Sequence, residues 1–369
     1  MIRLLSALVL LSLFAAESAN AYGHRSCGEV PLRFRGAVGT VGIWSGSFPT
    51  GGWREAAADA FVKMNDHPGN YRLDMSVDTF HVSPGNGESE MWFSADALWN
   101  GDGSAMAHYY DICVWFFYEF YYVNEVDVII DSRVPYTFSE SKRDLWFYDT
   151  DRDGDGDLDG GRPFAPIVIH EMSHGLGFTH NDYNYNVMGE DFTHLHVNGP
   201  NARGYVGEDL AAGIVHLYGL KARYEDVAVS HWRYVGSDGE YSMHGKNEII
   251  AFPVGTRRVV EGEEHFDVAP NQFIVARFTF ENLGLTCQNM TIGYYVSTNA
   301  SISMSDRRIG GATRRVCPNA PDTRGALLRL PADLSRDRPL WLGAIVNEDG
   351  AILETSRQNN ATYIPMWVN

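Results

Sequence analysis

The residues best suited to chemistry lie in one eleven-residue segment, HEMSHGLGFTH, which begins at His170 and ends at His180. On an α-helix, His170 and His174 are one turn apart on the same face, so both imidazoles can bind one metal ion beside Glu171. Gly177 permits a left-handed turn at the helix end, after which the chain can bring His180 to the same ion. Three imidazoles leave one position of a tetrahedral zinc open for water, and Glu171 is placed to accept its proton. The segment predicts a hydrolytic zinc site.

The same segment resembles the metzincin signature HExxHxxGxxH. The resemblance continues at Asn186–Gly189, which is similar to the Met-turn of that clan. It implies that Met188 packs its thioether beneath the zinc-binding histidines, a role that suits a soft and adaptable side chain. An ordinary core methionine is the alternative interpretation.

Segments on either side extend the resemblance over most of residues 30–220. Glu125–Asp131 resembles the buried strand before the active-site helix of matrixin-like enzymes, and Glu208–Gly219 is similar to their closing helix. Two positions depart from the clan: Asn181 follows the third histidine, and Glu190 occupies the position of the zinc-bound tyrosine of astacins. The resemblance therefore implies an α+β metzincin catalytic domain, with a mixed twisted sheet and an active-site helix, and leaves the subfamily open.

The N-terminus has the pattern of a secretory signal peptide over residues 1–21. Arg3 supplies a positive charge, Leu4–Ala16 is an apolar run too short for a comfortable membrane span, and Ala19–Ala21 is a small-residue cleavage site. The mature protein is expected to begin at Tyr22. No later segment is long and apolar enough to predict a membrane span, so the sequence predicts a secreted, extracellular protein.

The formal net charge of −18 argues against a nucleic-acid partner, because phosphate binding needs clustered basic side chains. Part of the acidity is local, in the run Asp149–Asp159. Its alternating carboxylates and glycines resemble a calcium loop, although the glutamate that closes an EF-hand loop is absent. A solvated acidic loop is the alternative. The predicted calcium ligands are Asp151, Asp153, Asp155, Asp157 and Asp159.

Four cysteines, two in each half of the chain, suggest one disulfide per domain. Cys27 with Cys113 and Cys287 with Cys317 is the natural pairing among three possible ones. Cys27 has a second interpretation, because the residues around it resemble the cysteine switch that blocks zinc in matrixin propeptides. The displaced arginine and the very short preceding segment favour the disulfide.

Periodicity in the first half predicts α/β structure. Val30–Gly36 and Tyr71–Phe80 alternate as strands, Gly52–Asn65 has helical spacing, and Val126–Ile130 has the composition of a buried strand. This order favours a mixed sheet with the zinc helix packed on one face. The aromatic stretch Tyr109–Tyr122 is interpreted as core, or as a helix beside the substrate cleft.

After about residue 222 helical spacing disappears and short alternating runs take over, which predicts an all-β immunoglobulin-like sandwich over residues 222–369. The first domain is then expected over residues 22–221. The segments FTFENLG, IGYYVSTNASISMSDRRIG, LPADL and LWLGAIVNEDGAILETSRQNNAT resemble a CARDB-type adhesion module across residues 265–365. This resemblance implies a bacterial exoenzyme whose second domain contacts a surface or a glycan, spaces the domains or stabilises the chain.

Two functional hypotheses follow. The first is a secreted zinc metalloendopeptidase that acts on protein or peptide substrates, with Glu171 as general base. The second is a secreted adhesion or carbohydrate-binding protein in which the zinc is structural. A structural site needs no base and usually has a fourth protein ligand, for which His194 and His196 are the nearest candidates.

Overall fold

The computed structural model describes residues 23–28, 30–34, 36, 38–77, 82–95, 105–116, 118–145, 160–181, 186–189, 194–221, 224–231, 247–252, 255–260, 262–320 and 322–369. Side chains are described at these positions except 106 and 108–121. The predicted signal peptide and the acidic run 149–159 lie outside these residues. The structure is mostly β, and none of its three described α-helices has the length and hydropathy that crossing a bilayer requires.

The first half is built around a five-stranded mixed sheet with the spatial order β5-β4-β6-β8-β7. Neighbouring strands are parallel except β7, which pairs antiparallel with β8 at the edge. The elements of this half are β1 (Gly23–His24), β2 (Ser26–Cys27), β3 (Val30–Pro31), β4 (Val38–Ile43), α1 (Trp53–Met64), β5 (Arg72–Val77), β6 (Ser89–Ser94), β7 (Ala105–Phe116), β8 (Tyr118–Asp131), β9 (Tyr136–Thr137), β10 (Arg162–Pro163), α2 (Phe164–Gly175), β11 (Phe178–Thr179), β12 (Leu195–Asn198), β13 (Asn201–Gly204) and α3 (Gly207–Tyr218).

Side-chain alternation along β8 sorts apolar from acidic residues. Val126, Val128 and Ile130 belong to the core that the three helices share with the sheet, whereas Glu125 and Asp127 lie on the opposite face. The helix α1 buries residues at spacings of three and four, which is the periodicity that made it predictable. Those residues are Ala57, Ala60, Phe61 and Met64.

Several sequence-based expectations for this half need correction. The strand predicted over Val30–Gly36 is only the two-residue β3. Leu32 still bonds to Arg25 across from β2, but the next residues leave that pairing, and Phe34 forms an isolated parallel bridge with Val123 of β8. The helix considered for Tyr109–Tyr122 is wrong, since backbone pairing places most of that stretch in β7 and β8. The strands β4 and β6 have no clear periodic signal in the sequence. Glycines at two of its six positions obscure the alternation of β4, and β6 is buried on both faces and does not alternate.

The second half is a two-sheet sandwich. Its strands are β14 (Val227–Ser230), β15 (Glu248–Phe252), β16 (Arg257–Val260), β17 (Glu263–Val268), β18 (Phe273–Asn282), β19 (Gln288–Ser297), β20 (Arg307–Val316), β21 (Asp322–Arg329), β22 (Arg338–Val346) and β23 (Ala361–Val368). In one sheet, β14 and β15 pair with successive segments of the same edge of β18, and β21 pairs with its opposite edge. The second has the order β16-β17-β23-β22-β19-β20. The two sheets enclose their own apolar core, and Cys287 and Cys317 form the predicted disulfide.

The two halves share a third apolar cluster. Leu145 and Val197 of the first half pack in it with Ile302 and Tyr363 of the second. The hydroxyl of Thr362 donates to the carbonyl oxygen of Val197 at 2.8 Å, so hydrogen bonds accompany the apolar contact. The halves are therefore joined by buried apolar side chains and hydrogen bonds as well as by the connecting chain.

Candidate metal centre

Three imidazoles converge at the C-terminal end of α2. The Nε2 atom of His174 lies 3.1 Å from Nε2 of His170, and each of them lies 3.2 Å from Nε2 of His180. A tetrahedral zinc with Zn–N bonds of about 2.0–2.1 Å separates its nitrogen ligands by about 3.3–3.4 Å. Within the described part of the chain, these histidines are the one group of three or more His, Cys, Asp or Glu side chains close enough to hold a metal ion.

Hydrogen bonds on the far side of two rings define their tautomers. Nδ1 of His170 donates to the carbonyl oxygen of Val187 at 2.6 Å, and Nδ1 of His174 donates to that of Phe178 at 2.9 Å. Because a carbonyl only accepts, each Nδ1 carries the hydrogen and each Nε2 presents a lone pair. Burial, followed by the neighbouring imidazole charges, lowers the pKa of His170 well below its usual range, and burial lowers that of His174 to about 4. Converging lone pairs on neutral rings fit a metal cation.

Two glycines permit close backbone approaches around the three imidazoles. Gly175 lets α2 lie close to β8, because a Cβ there would be 2.6 Å from Cγ2 of Val126. Gly177 has φ +98°, and a Cβ on it would be 2.5 Å from the carbonyl oxygen of Leu32. The chain then continues as β11, paired antiparallel with β1, and delivers His180 to the other two histidines.

Glu171 is buried one residue after the first ligand candidate. Its carboxylate accepts a hydrogen bond from the backbone amide of Ala107 in the edge strand β7. Burial raises the pKa of Glu171 to about 8, and the Ala107 hydrogen bond opposes that shift. A cation on the adjacent imidazoles would oppose it as well, because positive charge favours the carboxylate.

The turn that contains Met188 is fastened to the residue after His180. The backbone amide of Asn181 donates to the carbonyl oxygen of Met188 at 2.9 Å, and Nδ2 of Asn186 donates to that of Asn181 at 2.9 Å. Met188 is buried in the core of the first half. Asn181 also donates from Nδ2 to Oδ2 of Asp209 at 3.3 Å, which gives this departure from the metzincin pattern a structural role.

Two of these polar residues have weak or no signals in the sequence. The Asn186 side chain accepts from the amide of Met188 at 2.6 Å, an Asx-turn arrangement that an Asn before a turn can suggest. Asp209 lies in the first turn of α3, where an acidic residue is common on any helix. Nothing local indicates that it reaches Asn181.

Other predicted site residues lie elsewhere. The calcium candidates from Asp151 to Asp159 are outside the described residues. Cys27 is disulfide-bonded, so the cysteine-switch interpretation, which requires a free thiol, is wrong for this structure. Its expected partner Cys113 has no described side chain. His194 bonds through Nε2 to Oε1 of Glu281 at 3.0 Å, and neither it nor His196 joins the imidazole group.

Comparisons with known proteins give limited information. The sequence matches no protein-family model and no curated relative. Among solved structures, the chain is similar to a crystal structure of the CARDB domain of the PF1109 protein from Pyrococcus furiosus, at 14% identity and TM-score 0.25, over 41% of this chain and 93% of that one. A solution structure of the same domain matches at 14% identity and TM-score 0.25, over 40% and 97% of the two chains.

A polysaccharide monooxygenase of the CBM33 type matches at 11% identity and TM-score 0.19, over 30% of this chain and 64% of that one. Likenesses this weak say nothing about activity. The metzincin resemblance rests on the sequence motifs.

Proposed function

We propose that this chain is a secreted, zinc-dependent metalloendopeptidase of the metzincin clan that hydrolyses peptide bonds of extracellular proteins. The observation that carries the proposal is the convergence of three Nε2 atoms, 3.1–3.2 Å apart, on a segment that also carries the buried Glu171. His170, His174 and His180 would hold the zinc. The proposal includes a matrixin-like α+β first domain and a CARDB-type second domain.

Each residue of the site has a distinct task in this reaction. Zinc, when bound, supplies Lewis acidity toward the substrate carbonyl and lowers the pKa of water to about 7. Glu171 accepts the proton of the attacking water and then delivers it to the leaving amine nitrogen. The hydrogen bonds to Val187 and Phe178 hold two imidazole rings in orientation. The Met188 turn supports the rings from the protein interior.

The structural-zinc alternative has less support. It requires a fourth protein ligand, and the nearer candidate from the sequence, His194, is engaged with Glu281 instead. It also leaves the buried carboxylate of Glu171 without a purpose beside the imidazoles. Burying an acid without a charged partner costs free energy and raises its pKa. Active sites use such shifts to give an acid or base the pKa that proton transfer requires.

Secretion and calcium binding complete the proposal. Extracellular location rests on the signal pattern of residues 1–21, and N-terminal sequencing of secreted protein should read from Tyr22. The acidic run before α2 is proposed as a stabilising calcium loop. The second domain would contribute contact with a surface or a glycan.

The direct test combines metal content with cleavage in the mature full-length chain. Wild type should contain one zinc per molecule and cleave a fluorogenic peptide library or casein, with the activity lost to a chelator and restored by zinc. His174→Ala should lose both metal and activity, because two imidazoles hold zinc poorly. His216→Ala, an exposed histidine on α3, is the matched control and should retain both. Stoichiometric zinc in His174→Ala would refute the assigned ligand set.

A further inference from the structure

A carboxylate of the second half is buried against the first. Glu281 lies near the end of β18 and is 1% exposed. Its oxygens bond to Nε2 of His194 at 3.0 Å, to the hydroxyl of Tyr205 at 3.1 Å and to the backbone amide of Glu208 at 3.1 Å. The hydroxyl of Ser230, on the neighbouring strand β14, donates to it as well. Three of its four partners therefore come from the first half.

The bonds between α3 and β18 run in both directions. The amide of Glu208 donates to Glu281, while the carboxylate of Glu208 accepts from the amide of Asn282 at 2.7 Å and from that of Ala320. Burial opposes ionisation of Glu281, but the charge of His194 and the surrounding hydrogen bonds lower its pKa to about 2. Hydrogen bonds to a buried anion are strong and directional, so its donors are held in defined positions. The first turn of α3 is thus fixed against the sandwich.

That same turn reaches the candidate metal centre. Asp209, the next residue of α3, accepts the hydrogen bond from Nδ2 of Asn181 at 3.3 Å. Asn181 directly follows His180, and its backbone amide donates to Met188 at 2.9 Å. Contiguous contacts therefore lead from Glu281 through the start of α3 to the third ligand candidate and to the Met188 turn.

We propose that Glu281 is a positioning residue of the zinc site, which acts through the N-terminal turn of α3 and Asn181 on His180. The inference rests on the proposed function, because it assigns a role toward the same metal. The inference adds that the second domain contributes to metal binding and therefore to the activity of the enzyme. A partner that is hydrogen-bonded directly to a metal ligand commonly changes metal affinity by about 10- to 100-fold, and Glu281 is further from His180 than such a partner is.

The test measures metal affinity and catalysis in the full-length chain. Glu281→Gln removes the charge and keeps the shape, so His180 should be held less firmly. We expect the zinc dissociation constant, measured by competition with a chelator, to rise by roughly 3- to 10-fold, below the range for a partner bonded to the ligand itself, because Glu281 acts through α3 and Asn181. At saturating zinc, kcat should fall while KM changes little, because the substrate contacts remain.

Glu354→Gln is the matched control. Glu354 is also a buried glutamate of the second half, but it bonds to Asn347 and Asn360 within the sandwich. Its variant should melt at a lower temperature with an unchanged zinc dissociation constant. A loss of affinity equal to that of Glu281→Gln would mean that general destabilisation is responsible, and the positioning role would be wrong.

Ser230→Ala gives a milder perturbation in case Glu281→Gln does not fold. It removes one hydrogen bond to Glu281 with little change in volume, and should weaken zinc binding in the same direction by a smaller factor. Wild-type affinity in every folded variant of this pair overturns the inference and leaves the peptidase proposal standing. Absence of zinc from the wild-type chain overturns both.

Discussion

His170 donates from Nδ1 to the carbonyl oxygen of Val187 across 2.6 Å. The bond ties the first ligand candidate of α2 to the turn that contains Met188, which lies beyond the third candidate in the chain. Ligand orientation and turn conformation therefore depend on each other. Any change that moves the turn is expected to disturb the metal centre before it disturbs the sheet.

Gly177→Ala should destabilise the protein and weaken zinc binding. The alanine would adopt φ +98° with its Cβ 2.5 Å from the carbonyl oxygen of Leu32, so strain and a clash combine. Gly28→Ala is the control, because Gly28 also has a positive φ of 64° but open space around its Cβ. In urea unfolding, we expect the free energy of unfolding to fall by about 1–2 kcal/mol for Gly28→Ala and by more for Gly177→Ala. Equal losses would contradict the proposed close approach.

Calcium should raise the melting temperature of the zinc-saturated protein. An ion that binds only the native state adds RT ln(1 + [L]/Kd) to its stability. The double variant Asp153→Ala with Asp155→Ala should lose this response, whereas Asp333→Ala, at an exposed carboxylate of the second half, should keep it. Identical calcium titrations of the double variant and wild type would leave the run as a solvated acidic loop.

Asp226→Asn should alter the pH dependence of stability. Burial, followed by the charges of Glu354 and Asp66, raises the pKa of Asp226 to about 8, above an unfolded value of about 3.9. The folded state therefore holds the proton more tightly, and this contribution to stability is lost as pH rises toward 8. Asparagine does not ionise, so the free energy of unfolding of the variant should rise relative to that of wild type between about pH 5 and pH 8. Urea unfolding across this pH range measures it. A constant difference between the two proteins would argue against a buried, protonated Asp226.

The arrangement of the three metal-ligand candidates can be predicted from local sequence, but the contacts that hold them in position cannot. The spacing of His170, His174 and His180 and the glycine at 177 are read directly, because helix periodicity and positive φ are local properties. The contact from Asn181 to Asp209, and that from Glu208 to Glu281, join residues far apart in the chain. The first depends on how α3 packs against the segment after β11, and the second on how α3 packs against β18. One sequence offers no periodic signal for either.

Residues 22–221 expressed alone should lack a cooperative melt. The shared cluster of Leu145 and Val197 with the second half would be exposed, and the partners of Glu281 would lose a buried charge. Differential scanning calorimetry of the truncated chain beside the full-length protein checks this. A cooperative transition, together with peptide cleavage at the full-length rate, would show that the first domain is autonomous.

The comparison of Glu171→Gln with wild type tests the peptidase proposal most directly. Glutamine keeps the size of the side chain and lacks the basic carboxylate, so zinc should stay near one per molecule while the cleavage rate falls by about 10²- to 10⁴-fold. Glu90→Gln, at a buried carboxylate on the opposite face of the sheet, is the control and should retain activity. A Glu171→Gln protein as active as wild type, or a zinc-loaded wild type that cleaves no peptide, would contradict the account.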